Sequence, residues 1–174
     1  ASNSGSRVTS LTSGDKIVYD ETVPTLPTVD ISSNNTNGAT FAKVGDVITI
    51  SVSASENIQT PTVTIAGNAA AIASGSNGER VYTATYMMQS SDNTGVIPFT
   101  VDFSDMANNP GTQVTAVNND SDGGVTFDKQ APSFTTVTMS SNNSTSTLAI
   151  VNDVITLNLT SDEAIKTGSD PTIT

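Results

Sequence analysis

Apolar side chains recur at every second position in several short segments of the chain. The most regular run is residues 47–54, in which apolar residues alternate with Thr and Ser. A period of two places alternate side chains on opposite faces of a strand, so this pattern predicts a half-buried β-strand. The same spacing predicts a set of inward-facing residues: Val29, Ile31, Ile48, Ile50, Val52, Ala54, Val63, Ile65, Tyr82, Ala84, Tyr86, Met88, Ile97, Phe99, Val101 and Phe103.

Turn-forming sequences separate the predicted strands. Residues 33–38, 74–79 and 90–95 are rich in Asn, Gly, Ser and Asp, which favour turns. Roughly seven short strands in a stretch of about 108 residues, without a convincing helical period, are typical of an immunoglobulin-like β-sandwich. The Ala-rich run at residues 69–73 is ambiguous and fits either a strand or a short helical turn.

The chain also contains an internal repeat. The sequence SSNN at residues 32–35 returns at residues 140–143, and DVIT at residues 46–49 returns at residues 153–156. The two copies have a period of about 108 residues, and composition does not easily produce identities in this order. The predicted fold class is therefore all-β, with immunoglobulin-like β-sandwich repeats in tandem.

The repeat divides the chain into three parts. Asp20 and Asp128 are equivalent positions, and the sequence from Gly5 parallels the sequence from Gly111. We therefore expect the chain to be a window of a longer tandem array. Its expected segments are the last strand of a preceding repeat (1–19), a complete domain (20–127), and the first strands of the next, truncated repeat (128–174).

The repeated motifs resemble those of a known group of domains. Asp20 and Pro24 are followed by SNN at residues 33–35, AKVGDVIT at 42–49 and PTVTI at 61–65. This order resembles the immunoglobulin-like repeats of very large prokaryotic cell-surface proteins, which include archaeal surface-layer proteins and the extender regions of bacterial adhesins. The sequence departs from this pattern at two places: MANN at 106–109 replaces a frequent Ala-Gly-Asn turn, and Asn152 replaces the equivalent of Gly45.

The composition excludes several classes of catalytic site. The chain contains no His, Cys or Trp, so it lacks the residues of His-based nucleophilic dyads, Cys nucleophiles and His/Cys zinc sites. Asp102 and Asp105 form a candidate carboxylate pair, but nothing in the sequence predicts an apolar pocket around them. Tyr82 and Tyr86 alternate with Thr, which favours core packing over a sugar-binding platform. We expect no enzymatic activity.

Charge and hydropathy restrict the partners. The 17 Asp and Glu residues outnumber the 6 Lys and Arg residues, for a net charge of -11. Nucleic acid and anionic lipid bind to clustered Lys and Arg, so neither is an expected partner. No apolar run approaches the length that crosses a bilayer, and we expect no direct membrane insertion in this segment.

Acidic residues concentrate where the repeat predicts a junction between domains. In an immunoglobulin-like sandwich the chain enters at one end, which places Asp20 and Glu21 beside Glu56 and Asp105. The amides of three residues are expected nearby: Asn57, Asn108 and Asn109. Converging carboxylate and amide oxygens suit Ca²⁺, which takes about 6–8 oxygen ligands. The sequence therefore predicts a calcium site at this end of the domain.

A second calcium site is predicted at the following junction. Its carboxylates are Asp128 and Glu163, with Asp162 beside them. Four more acidic residues are expected at the opposite end of the complete domain: Asp46, Asp92, Asp120 and Asp122. The alternative is that these side chains are solvated turn residues, chosen for local hydrogen bonds.

Five Asn-x-Ser/Thr sequences are candidate N-glycosylation sites. The candidate acceptors are Asn34, Asn119, Asn142 and Asn143. The fifth sequence, at Asn158, falls within a predicted strand and is the least suited to modification.

Two non-catalytic functions follow from the resemblance and remain open. The first is a structural module of an extracellular surface-layer protein, which forms a lattice at the cell envelope. The second is a spacer in a long bacterial adhesin that projects a distal binding domain. The expected partners are neighbouring repeats of the same chain and, for a surface layer, other copies in a homo-oligomeric lattice.

Overall fold

The computed structural model describes residues 14, 17, 19–118 and 123–165. All regular secondary structure in these residues is β-strand, so the fold is all-β as predicted. None of the described residues belongs to a helix long and apolar enough to cross a bilayer. The chain divides into two compact units, Ala1–Asp128 and Lys129–Thr174.

Each predicted alternating segment contains a strand of the first unit, which also has short strands that the alternation did not predict. In chain order they are β1 (Thr28–Ser33), β2 (Phe41–Ala42), β3 (Val47–Ile58), β4 (Thr62–Ile65), β5 (Asn68–Ala69), β6 (Ala71–Ser74), β7 (Glu79–Met87), β8 (Gly95–Val96), β9 (Phe99–Asp102) and β10 (Thr126–Phe127). The ambiguous Ala-rich run forms β5 and β6, so the strand alternative is the one observed.

The strands of the first unit form three sheets. The largest has the order β1-β3-β7-β6, and the second has the order β5-β4-β9, both with antiparallel neighbours. Val114 extends the second sheet through two backbone hydrogen bonds with Val101, of 2.8 and 3.1 Å. In the third sheet, β10 pairs with β2 in parallel and with β8 antiparallel.

Residues from the two larger sheets share one hydrophobic core. Every residue predicted to face inward is buried except Tyr86, which is half-buried and packs against the core. Alternation of buried and less buried residues along β3 follows the period of two that the sequence shows. This two-layered arrangement is consistent with a β-sandwich.

The second unit is built around a hairpin that repeats the register of β1 and β3. Strands β11 (Phe134–Ser141) and β12 (Ile155–Ser161) pair antiparallel. Val137 opposes Leu159, and Met139 opposes Leu157. The equivalent pairs in the first unit are Val29 with Val52 and Ile31 with Ile50.

The loop that follows the first strand of each hairpin has the same polar contacts in both units. The Asn35 amide nitrogen donates to Oδ2 of Asp46 over 2.5 Å, and the Asn143 amide nitrogen donates to Oδ2 of Asp153 over 2.9 Å. Each aspartate oxygen also accepts a backbone N–H three residues earlier in the chain, over 2.8 Å. The recurring residues at 32–35 and 46 therefore build a recurring local structure.

Candidate metal centre

Three carboxylates converge at one end of the first unit. Asp20 precedes β1, Glu56 lies near the end of β3, and Asp105 follows β9. One carboxylate oxygen from each lies within 4.8 Å of the other two. The structure thus brings together three of the four residues that the sequence placed at this end.

Backbone pairing fixes Asp105 at this position. Asp105 forms an isolated bridge with Ile58, and Gln59 N–H donates to the Ser104 carbonyl over 2.9 Å. The Asp105 side chain then closes its own turn, because Oδ1 accepts the N–H groups of Ala107 and Asn109 over 2.8 and 2.7 Å. Short-range bonds of this type are the reason Asp is favoured in turns. Asp105 is only 1% exposed.

Asn109 connects Asp105 to the segment that precedes β1. Its amide nitrogen lies 2.8 Å from Oδ2 of Asp105 and 3.1 Å from the carbonyl oxygen of Asp20. The neighbouring Asn108 has a φ of 72°, and its side-chain oxygen accepts a hydrogen bond from Gln59 over 2.8 Å. The predicted amides of Asn108 and Asn109 therefore both make hydrogen bonds at this end of the unit. Asn57, next to Glu56 in the chain, is exposed.

Glu56 supplies an unusual oxygen. Its Oε1 atom is buried and has no hydrogen-bond partner among the described residues. A buried acceptor without a donor is unfavourable, because it has lost its hydration without replacement. The group that would satisfy it is a positively charged or hydrogen-bond-donating ligand.

The environment of Asp105 favours the ionised carboxylate. Burial alone would raise the pKa of Asp105, but hydrogen bonds from the Asn109 side chain and from the backbone N–H groups of Asn109 and Ala107 outweigh it and hold the pKa below its ordinary value. The hydrogen bonds found at Asp20 and Asp105 come from neutral donors, so they do not neutralise the negative charge.

The arrangement fits a hard divalent cation. Ca²⁺ binds oxygens at about 2.3–2.6 Å, so two ligands on opposite sides of the ion are about 4.8 Å apart. Three carboxylate oxygens within that distance of one another can contact one ion, and a cation would supply the partner that Glu56 Oε1 lacks. Calcium would complete its coordination with backbone or water oxygens.

The remaining predicted ligands lie elsewhere. Glu21 is exposed and accepts a hydrogen bond from the Tyr19 hydroxyl, so it is not among the converging carboxylates. Asp128 follows β10 in the first unit, where its N–H donates to the Ala42 carbonyl over 2.9 Å. Glu163 belongs to the second unit, in which the neighbouring Asp162 accepts two hydrogen bonds from Ser133.

Acidic residues at the opposite end of β3 hold local turns. Besides its contacts with Asn35 and the Lys43 N–H, Asp46 accepts a hydrogen bond through its carbonyl oxygen from the N–H of Met88, the residue after β7. Asp92 is 6% exposed and accepts hydrogen bonds from the N–H of Gln89 and the hydroxyl of Tyr86. These are the contacts of turn carboxylates. Asp120 and Asp122, also predicted here, lie outside the described residues.

The candidate glycosylation sites differ in their contacts. Asn34 and Asn142 are exposed, and each accepts a backbone N–H through its side-chain oxygen. Asn143 instead uses its amide nitrogen, the atom that a glycan would modify, to donate to Asp153. Asn158 is an exposed residue within β12. Asn119 lies outside the described residues.

The sequence did not predict the polar contacts of two residues of the first unit, Asn118 and the predicted core residue Tyr82. Asn118 accepts the N–H of Val29 over 2.7 Å and donates to the Leu26 carbonyl over 2.9 Å, which fixes the start of β1. The hydroxyl of Tyr82 lies 2.6 Å from the Ser76 carbonyl oxygen, at the turn before β7. The sequence offered no signal for Asn118, because Asn is abundant throughout the chain.

The other carboxylate considered for catalysis, Asp102, is exposed and accepts a hydrogen bond from Gln113 over 2.8 Å.

Comparisons of the chain with protein-family models, with curated proteins and with solved structures found no match.

Proposed function

We propose that this chain is a structural, non-catalytic part of a long extracellular surface protein, built from immunoglobulin-like repeats in tandem. A surface-layer protein that forms a lattice at the cell envelope is the preferred assignment. Its partners are then neighbouring repeats of the same chain and other copies of the protein.

The observation that carries this proposal is the duplicated local structure. The Asn35–Asp46 and Asn143–Asp153 contacts, and the register of the strands around them, are built twice in one chain. Repetition of one structural unit along a chain is typical of proteins built as extended arrays. The absence of His and Cys from the sequence agrees with a structural role.

The sheet order supports the immunoglobulin-like assignment. In that fold, strands A, B, E and D form one sheet, and strands C, F and G form the other. The order β1-β3-β7-β6 corresponds to A-B-E-D, and β4 and β9 with the segment at Val114 correspond to C, F and G.

We further propose that Ca²⁺ binds Asp20, Glu56 and Asp105. Asp20 lies in the segment where the chain enters the unit, whereas Glu56 and Asp105 belong to its folded body. An ion bound by all three would fix the direction of the entering chain and stiffen the junction with a preceding repeat.

The alternative is a spacer in a large adhesin. In the first unit, Asp20 lies beside Glu56 at one end of β3, and Asp128 pairs with Ala42 near the opposite end of that strand. Units with ends at opposite poles extend an array by one unit length each. A surface layer and an adhesin both use this property.

Immunogold electron microscopy distinguishes the two assignments. Antibodies raised against the full chain would be applied to intact cells and to isolated envelopes of the producing organism. Label at regular spacing over a continuous two-dimensional lattice supports the surface layer, and label along separate fibres supports the adhesin spacer. Label confined to the cell interior contradicts both.

A further inference from the structure

Two Asn-Gly pairs lie in exposed turns of the first unit. Asn37 and Gly38 lie between β1 and β2, and Asn77 and Gly78 lie between β6 and β7. An Asn-Gly pair is prone to deamidation, because Gly has no side chain to hinder attack of its backbone nitrogen on the Asn side-chain carbon. Hydrogen bonds that hold this nitrogen and the Asn side chain in place oppose the reaction. The surroundings of each pair therefore determine its reactivity.

Contacts with a core strand hold the Asn77-Gly78 turn. The Gly78 N–H donates to the Ile58 carbonyl over 2.9 Å, and Oδ1 of Asn77 accepts the N–H of Thr60 over 3.2 Å. Ile58 is the last residue of β3 and is buried. The hydroxyl of Tyr82 lies 2.9 Å from the same carbonyl oxygen. Attack by the Gly78 nitrogen therefore requires the turn to separate from the end of β3.

The N–H groups of the Asn37-Gly38 turn donate to a residue of the same loop. The Asn37 N–H donates to Oδ1 of Asn35 over 2.8 Å, and the Gly38 N–H donates to the Asn35 carbonyl over 3.2 Å. Donor and acceptor are only two or three residues apart. A local rearrangement of an exposed turn therefore releases the Gly38 nitrogen, and no sheet has to open.

The second unit builds the same turn without an Asn-Gly pair. Thr145 takes the position of Asn37, since its N–H donates to Oδ1 of Asn143 over 3.1 Å, as the Asn37 N–H does to Oδ1 of Asn35. The turn therefore does not require Asn at this position. The Asn-Gly pair is a chemical difference between two loops that otherwise match.

We propose that Asn37 is a site of spontaneous deamidation in the folded protein, and that the fold protects Asn77 from the same reaction. The Gly38 nitrogen loses its proton to water and bonds to Cγ of Asn37, while the bond from Cγ to Nδ2 breaks and the side-chain nitrogen leaves as ammonia. Water then opens the cyclic imide at one of its two carbonyl carbons, which gives aspartate or isoaspartate at position 37. Either product adds a negative charge at neutral pH.

The reaction would change the loop permanently. Isoaspartate carries an extra methylene group in the main chain, so it displaces the two N–H groups that donate to Asn35. The Asn35 side chain also donates to Asp46, which holds this loop. Thr145, at the equivalent position of the second unit, has no amide to lose. The proposal is independent of calcium and of the assignment as a surface layer or a spacer.

The test follows both Asn-Gly pairs in the full chain. The protein is incubated at mildly alkaline pH in native buffer and, in parallel, in concentrated urea. Samples are digested at intervals, and fragmentation mass spectrometry measures the conversion of amide to acid at each Asn. We expect Asn37 to react about tenfold faster than Asn77 in the native protein, because hydrogen bonds to a core strand must break before Asn77 reacts. In urea the two rates should become similar.

Two variants separate the local contacts from general unfolding. Asn37→Thr copies the residue found at position 145 and should remove the reaction at this turn while the fold is kept. Tyr82→Phe deletes the hydroxyl beside the Ile58 and Ser76 carbonyl oxygens, so it should accelerate the reaction of Asn77 and leave the rate of Asn37 unchanged. The circular dichroism spectrum of each variant checks that it is folded as the parent chain is.

Three results would overturn the proposal. The first is a native protein in which Asn37 stays intact while it reacts in urea. The second is a native Asn77 that reacts as fast as Asn37 or faster. The third is an equal acceleration of both sites by Tyr82→Phe, which means that unfolding of the whole unit controls both rates.

Discussion

Gly45 and Asn152 adopt the same left-handed backbone conformation at equivalent positions of the two repeats. Their φ angles are 89° and 77°, and each immediately precedes the aspartate that holds the loop, Asp46 or Asp153. Gly adopts this conformation without steric cost, and Asn tolerates it better than other residues do. The substitution of Asn for Gly between the repeats therefore preserves the loop.

This relationship predicts unequal effects of substitution at Gly45. A Cβ at this position would meet no atom within 4 Å, so the cost of substitution is conformational. Gly45→Ala is expected to lower the free energy of unfolding by about 1–2 kcal/mol, and Gly45→Asn by clearly less. Urea unfolding followed by tyrosine fluorescence measures this, because all three tyrosines belong to the first unit. Equal destabilisation by Ala and Asn would show that the left-handed conformation is not what the loop requires.

Calcium is expected to stabilise the first unit. Saturating Ca²⁺ should raise its Tm by roughly 5 °C or more relative to EDTA, since a ligand that binds only the folded state adds free energy of unfolding. Glu56→Gln should abolish this response without lowering the Tm in EDTA, because it removes one of three adjacent negative charges. Asp30→Asn, a carboxylate of β1 outside the cluster, is the matched control and should keep the response. A parent chain whose melting curve is the same in Ca²⁺ and EDTA would refute the site.

Acid is expected to destabilise the first unit through Asp105. Its pKa is lower in the folded chain than the ordinary value of about 3.9, so the folded state binds the proton more weakly than the unfolded state. The stability that Asp105 contributes is complete above about pH 5 and is lost as the pH falls through its lowered pKa. Chemical unfolding between pH 7 and pH 2, without calcium, measures this loss.

Two variants test whether Asp105 is responsible for the loss of stability in acid. Asp105→Asn is expected to be less stable at pH 7 and to lose less stability on acidification. Asn109→Ala removes the side chain that donates to Oδ2 of Asp105, so it should raise the pKa of Asp105 and shift the acid transition to higher pH. An unchanged acid dependence in both variants would place the responsible groups elsewhere.

Glycan occupancy is expected to follow the hydrogen bonds of the asparagines. Asn34 and Asn142 keep their loop contacts when modified, because the side-chain oxygen is the atom that makes them. Modification of Asn143 would break its bond to Asp153. Mass spectrometry of peptides from the native protein should therefore find glycan on Asn34 and Asn142 and none on Asn143. Higher occupancy at Asn143 than at Asn142 would contradict this order.

The sequence was sufficient to predict the strands that bury one face. Residues 47–54 alternate so regularly that only one register places Ile48 and Ile50 inside, and the structure buries both. It was not sufficient for residues 69–73, because a run of small apolar residues does not show which side chains face the core and which face solvent. Pairing of β6 with β7 and of β5 with β4 decides their conformation.

The candidate metal site could likewise be predicted from the sequence only in part. Asp20, Glu56 and Asp105 could be grouped in advance, because strand ends at the same pole of a sandwich bring their turns together. The exposed position of Glu21 and the unpartnered oxygen of Glu56 depend on side-chain conformations, which no spacing in the sequence reveals. For Asp46, the predicted alternative of a turn residue agrees with its hydrogen bonds to Asn35 and Lys43.

The parallel pairing of β2 with β10 determines how the first unit would respond to tension. A pull on Asp128 acts directly on β10 along its length, whereas a pull on Asp20 reaches β1 first, which is held by its pairing with β3. The hydrogen bonds of Thr126 to Thr40 and of Asp128 to Ala42 lie across that direction, so they would be loaded together in shear instead of opening one after another. Two short strands would thus resist a pull on the carboxyl end of a unit whose longest strand spans about 40 Å.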